Sequence, residues 1–325
     1  MLFDSEELSR FEVCISDDTY ALYHDESNKD GYWHGMLLVP SNKRDQFFDI
    51  LQSYRKMEGY FNKISFKDIK STGEKFRLAN DWLQVGVGFL RSQSNKQKYH
   101  VRNWNQPGRP GHESTPYISL PINLMGAKFI LFRVKDDHEN MVYLNDKVCK
   151  VETTLRMGIA GGLHSLGNPD HPIHIRKIHL DGYQQNNRHA DVKRIIDRIY
   201  GLRDYCTFGP RESLIDDRSS DLKSENPQDY IDCEFLALTD LLIGSFRVAL
   251  SQFEKNEYKK KLSHHAKRIL ERMTSGKSSM KQSRWANSFW LSECELIENQ
   301  WVFNNIELRN HKDKIYQLPL ELLTF

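Results

Sequence analysis

The order of apolar and polar positions divides the chain into alternating strands and helices. Residues 18–27, DTYALYHDES, carry β-favouring Tyr and Thr with a polar end and read as a strand. Asn28 to Gly31 has turn chemistry, and YWHGMLLVP at 32–40 reads as a second strand, so the two predict an antiparallel hairpin. Phe47, Ile50, Leu51 and Tyr54 recur at helical spacing and predict a helix over about 43–59. Residues 63–69 are a candidate third strand, followed by a long helix at 74–91 carrying Trp82, Val85 and Phe89. KFILFRVK at 128–135 reads as a central strand. A helix over 142–166 ends in a glycine-containing turn, with GIAGGLHSLG read as its terminus. A strand at 173–181, a helix at 189–200, a short strand near 212–216 and an apolar helix at about 229–250 follow.

This order predicts an α/β domain, a mixed sheet covered by helices, over residues 1–253. Residues 92–127 are polar and hold Pro107, Pro110, Pro116 and Pro121, which marks an inserted loop. Residues 254–325 form a basic C-terminal extension, helical at first and ending in a Trp- and Asn-containing segment. There is no internal repeat.

Composition narrows the class. The 325 residues include no run of eighteen apolar positions, which excludes a hydrophobic membrane span. Acids at the N-terminus argue against a signal peptide, and five scattered cysteines argue against a disulfide framework, so the expected compartment is the cytoplasm. The net charge of +2 is an average over unlike regions. Residues 4–30 hold nine acids against two bases, and residues 255–284 hold ten bases against two acids. Lys96, Lys98, Arg102 and Arg109 meet no acid over 94–112 and are interleaved with Tyr99 and Trp104. Bases neutralise phosphates and aromatic faces stack on bases, so Lys96, Lys98, Arg102 and Trp104, with Lys260, Lys267 and Arg268 in the basic helix, are candidate nucleic-acid contacts.

Three aspartates stand where burial makes a carboxylate costly. Asp25, followed by Glu26, ends the first strand; Asp181 ends IHIRKIHLD before Gly182; Asp240 lies inside FLALTDLLI. Cys233, Ala237, Asp240 and Gly244 share one small-residue helix face, which would carry the Asp240 carboxylate to the sheet. The competing roles for Asp240 are an N-cap of a broken helix or a partner for Arg247. Alternation sends Asp25 and Glu26 to opposite faces, which ranks Asp25 above Glu26. Such acids suit a hard cation, Mg²⁺ or Mn²⁺, held by few carboxylates, waters and substrate phosphates. His171, His174 and His179 read as a polar strand face, because alternation points His174 and His179 to opposite sides. His24 is turned away from Asp25 by the same rule, while Lys67 and Lys70 stand within reach of a phosphate at such a site.

At these residues the chain resembles a bacterial family catalogued as domain of unknown function 3800. The match runs through Asp25, Glu26 and Ser27 of YHDESNKDGYWHGMLLVP and through Asp240 and the leucines after it in LALTDLLIG. The resemblance implies a ribonuclease H-like fold and a metal-dependent nuclease core. One acid ends the first strand in that superfamily, one follows the fourth strand and one sits on a late helix. Asp25, Asp181 and Asp240 match that order, with Asp216 and Asp217 in SLIDDRSS competing for the second place. The expectation is phosphodiester hydrolysis of DNA or RNA, in phage defence or mobile-element biology, with Asp25, Asp181 and Asp240 as metal ligands and Glu26 auxiliary. Ala237 stands where the family has Gln, and Asn28 where it has Gly. The first departure motivates the alternative of a non-catalytic nucleic-acid-binding or partner-scaffolding protein. A small-molecule phosphohydrolase is a third class.

Overall fold

The structure is a computed structural model that describes residues 19–89, 99–100, 119–120, 126–135, 147–166, 172–181, 191–202, 206–218, 227–251, 254–274, 288–298 and 300–306. The predicted hairpin is present as β1 (Thr19–Ser27) and β2 (Tyr32–Pro40), antiparallel, with Asp25 opposite Gly35. Its turn places Asp30 and Gly31 at positive φ, 59° and 115°. A side chain at Gly31 would also meet Arg133 Nε at 2.7 Å, so the turn needs glycine on both counts. Helix α1 (Arg44–Glu58) and helix α2 (Glu74–Phe89) follow. The two-residue strands β3 (Tyr99–His100) and β4 (Ser119–Leu120) pair with each other apart from the main sheet. The rest comprises β5 (Lys128–Val134), α3 (Lys147–Leu166), β6 (Ile173–Asp181), α4 (Val192–Tyr200), β7 (Cys206–Phe208), β8 (Ile215–Arg218), α5 (Pro227–Leu250), α6 (Glu257–Thr274), β9 (Phe289–Ile297) and β10 (Gln300–Asn305). Asp191 caps α4, its carboxylate accepting the Lys193 and Arg194 backbone N–H groups.

Eight strands form one mixed sheet in the order β10-β9-β5-β2-β1-β6-β7, with β8 also paired to β6. β1 runs antiparallel to β2 and parallel to β6, and β5 runs antiparallel to β2 and parallel to β9. Helices cover both faces. Ala21 and Tyr23 enter the apolar layer made with α1, α2, α5 and α6, while Leu22 enters the layer under α3 and α4. Residues 289–297 and 300–305, which fall within the predicted C-terminal extension, are strands of this sheet, and α6 packs on α5 and α2.

Two local expectations are corrected. Residues 63–69 are not a strand: they run into a 3-10 turn at Phe66–Asp68. The reason is a plug in the neighbouring helix. A Cβ at Gly244 would sit 2.1 Å from Phe66 Cγ, so the phenyl ring fills the space that this glycine leaves in α5. By contrast, residues 158–166 of GIAGGLHSLG are the last turns of α3, which ends at Leu166 as expected. Its glycines bring the helix onto the sheet, with Trp290 against Gly161 and Ile130 against Gly162. The predicted short strand begins later, as β8, after a 3-10 turn at Arg211–Ser213, and β7 was not expected.

Candidate metal centre

Three elements bring the predicted aspartates near enough for their charges to act on one another, although their donor atoms do not all lie within 4.8 Å of one another. Asp25 leaves β1 on the face that Tyr23 shares with α5, and its Oδ1 accepts the Glu26 backbone N–H at 2.8 Å. Asp181 ends β6, the strand parallel to β1, just past the pairing of His24 with Leu180. Asp240 lies within the unbroken α5, so it is no N-cap, and Arg247 pairs with Asp30 at 3.4 Å. The Phe66 N–H donates to Asp240 Oδ2 at 2.7 Å, so the plug in the Gly244 notch also orients this carboxylate.

The electrostatics report the convergence. Burial, followed by the charges of Asp240 and Asp181, raises the Asp25 pKa well above the usual carboxylate range. Burial also raises that of Asp240, against hydrogen bonds from Ser65 and Phe66, with Asp181 raising it and Lys67 lowering it. Carboxylates that repel one another out of bulk water are stabilised by a shared cation. All three supply oxygen donors, the set that suits a hard divalent ion such as Mg²⁺ or Mn²⁺.

The other predicted residues divide. Glu26 faces away, its carboxylate accepting from the Tyr32 hydroxyl. His24 also faces away and meets His34 Nδ1 at 2.8 Å. Asp216 turns to His179 and Lys177 rather than to Asp25, and the backbone of Asp217 pairs with Leu180. Lys260, Lys267 and Arg268 are exposed on α6, whose buried side carries Leu262, Ala266, Ile269 and Leu270. The first turn of α6 abuts the turn that holds Asp240: Lys259 Nζ donates to the Lys67 carbonyl at 3.1 Å and lies 5.7 Å from the Phe66 ring centroid. Lys96, Lys98, Arg102 and Trp104 lie outside the described residues.

A second constellation was missed. The pairing of β6 with β1 slips between Ile175 and Lys177, so Ile173 and Ile175 share the α3 side with Ile178 and Leu180. His179 therefore does not obey simple alternation from His174. It lands beside Tyr23 on the α5 face, with ring centroids 4.8 Å apart. There it meets Asp216 of β8 and Asp232 of α5, and the donor atoms of the three lie within 4.8 Å of one another. Asp232 Oδ1 also accepts from the Tyr23 hydroxyl at 2.9 Å and from Arg44, whose Nε donates to that hydroxyl at 3.0 Å. The apolar spacing 173, 175, 178, 180 is the sequence trace of the slip.

Among the described residues, no helix is long and apolar enough to cross a membrane. No protein-family model, curated protein or solved structure matches the chain.

Proposed function

We propose that the chain is a ribonuclease H-like, metal-dependent nuclease of the cytoplasm that hydrolyses phosphodiester bonds in DNA or RNA. The observation that carries this reading is the convergence of Asp25, Asp181 and Asp240 from the first strand, the long strand parallel to it and a late helix. That is the order of acids in the superfamily which the sequence resembles. Asp25 would share both ions, with Asp181 and Asp240 completing the two sites. A pair of Mg²⁺ or Mn²⁺ ions supplies an activated water and charge stabilisation at the leaving oxygen. The protein contributes orientation: the Phe66 N–H fixes Asp240, and the Glu26 N–H fixes Asp25. Lys67 sets a positive charge near Asp240, and the exposed bases of α6 begin beside the same turn, so a nucleic-acid backbone could span both.

The second reading, a non-catalytic nucleic-acid-binding or scaffolding protein, is favoured by Ala237. This residue is buried in the apolar layer of α5 and brings no amide to the site. Cleavage of labelled DNA and RNA with Mg²⁺ or Mn²⁺ separates the two. The nuclease reading expects cleavage by the wild type and its loss in Asp25→Asn and Asp240→Asn. Salt-sensitive binding with no cleavage by any of the three proteins supports the second reading instead.

A further inference from the structure

The cluster around His179 uses none of the three aspartates assigned above. We propose that His179, Asp216 and Asp232 form a second cation site, for a divalent transition metal such as Zn²⁺ rather than for Mg²⁺. The three residues come from β6 beyond its register slip, from β8 and from the early turns of α5, so the fold builds the site from elements remote in sequence.

His179 is the central observation. It is only 3% exposed, and its Nδ1 is buried with no hydrogen-bond partner, an expensive condition for a ring nitrogen. Nδ1 stands 3.4 Å from Asp216 Oδ2, while Nε2 stands 3.5 Å from Asp232 Oδ1. A proton on Nε2, facing Asp232, leaves the Nδ1 lone pair for a cation, the arrangement that carboxylates impose on ligating histidines. The 3.4 Å gap between Nδ1 and Asp216 is close to the edge of a tetrahedron with ligands about 2.1 Å from its centre. The supports are in place. The Tyr23 ring stacks on His179 at an interplanar angle of 9°, and Tyr23 and Arg44 hold Asp232.

Ligand chemistry selects the metal. Imidazole nitrogen with carboxylate oxygens suits zinc and its neighbours, whereas Mg²⁺ and Ca²⁺ prefer oxygen throughout. With Asp232 orienting the ring through Nε2, His179 Nδ1 and Asp216 are the direct ligands, and waters would complete the shell. Lys177 already marks the place of a cation: its Nζ lies 3.2 Å from Asp216 Oδ2 on a side chain 38% exposed, free to swing into solvent.

The test uses the full-length chain, stripped of metal with a chelator, in the Asp25→Asn/Asp240→Asn background so that the other acids bind little. Calorimetric titration with Zn²⁺, and with Co²⁺ followed by absorbance, should give one equivalent that excess Mg²⁺ does not displace. Adding His179→Gln or Asp216→Asn should weaken binding at least ~10-fold. Lys177→Ala should tighten it several-fold by removing the competing ammonium. Circular dichroism and urea midpoints establish that each variant is folded, and if His179→Gln is not, Asp216→Asn and Lys177→Ala give the answer. No stoichiometric Zn²⁺ binding in that background, or affinity unchanged in the folded variants, overturns the proposal. Cleavage is measured separately and bears on the nuclease reading alone.

Discussion

Gly244→Ala tests the device that seats Asp240. The added Cβ would lie 2.1 Å from Phe66 Cγ, 2.4 Å from Cδ1 and 2.7 Å from Cβ. Comfortable carbon contacts are about 3.5–4.0 Å, so Phe66 must withdraw by more than ~1 Å. Because its Cβ is also too close, rotation of the ring alone does not relieve the clash. The backbone moves, and the 2.7 Å bond from the Phe66 N–H to Asp240 Oδ2 is lost. Overpacking costs about 1–3 kcal/mol, and a hydrogen bond to a charged group about 1.5–3 kcal/mol. The better helix propensity of Ala returns about 1 kcal/mol. The net expectation is a loss of about 2–4 kcal/mol, read from urea unfolding curves, together with reduced metal-dependent cleavage. In a Phe66→Gly background, which removes the Cβ as well as the ring, the clash is gone, and Gly244→Ala should be neutral or stabilising by up to about 1 kcal/mol. If Gly244→Ala unfolds within about 0.5 kcal/mol of the wild type, or its cost persists without Phe66, the reasoning fails.

Other consequences are as direct. Arg55 and Glu234 are fully buried and joined by bonds of 2.6 and 2.9 Å, so Glu234→Ala should destabilise by about 3–5 kcal/mol in the same urea assay; a change below 1 kcal/mol would contradict the pair's role. Burial lowers the His24 pKa from 6.5 to about 3, so between those values the unfolded chain binds a proton that the folded chain does not. Stability should therefore fall by about 2 kcal/mol from pH 7 to pH 5 through this residue, and His24→Gln should flatten the profile; parallel profiles would dismiss the assignment. Lys260→Glu and Lys267→Glu should weaken nucleic-acid binding and shallow its salt dependence, each lost phosphate contact removing about 0.9 from the slope for duplex DNA; unchanged slopes would remove α6 from the interface.

Much of this was legible because burial leaves a periodic trace. The β1–β2 hairpin and β5 follow from runs of β-favouring and apolar residues, and α5 from an apolar stretch too long for an ordinary strand. Asp25 and Asp240 stood out because ionised groups in such runs need a reason. Residues 63–69 misled because a short apolar run does not record that Phe66 will plug a notch in a helix far along the chain. The one-residue slip in β6 moved His179 to the opposite face, and alternation, counted without it, discarded the histidine. Asp232, Arg44 and Tyr23 meet only in three dimensions, from α5, α1 and β1, with no spacing to announce them. β9 escaped notice because it pairs in parallel with β5, more than a hundred residues earlier, behind a basic stretch whose charge drew the attention.

The central claim is that Asp25, Asp181 and Asp240 jointly hold divalent ions. Anomalous scattering from crystals grown with Mn²⁺ tests it most directly. The account predicts manganese peaks about 2.1 Å from carboxylate oxygens of these three residues, absent in Asp25→Asn crystals. A fully occupied map with no peak touching Asp25 or Asp240 would contradict it.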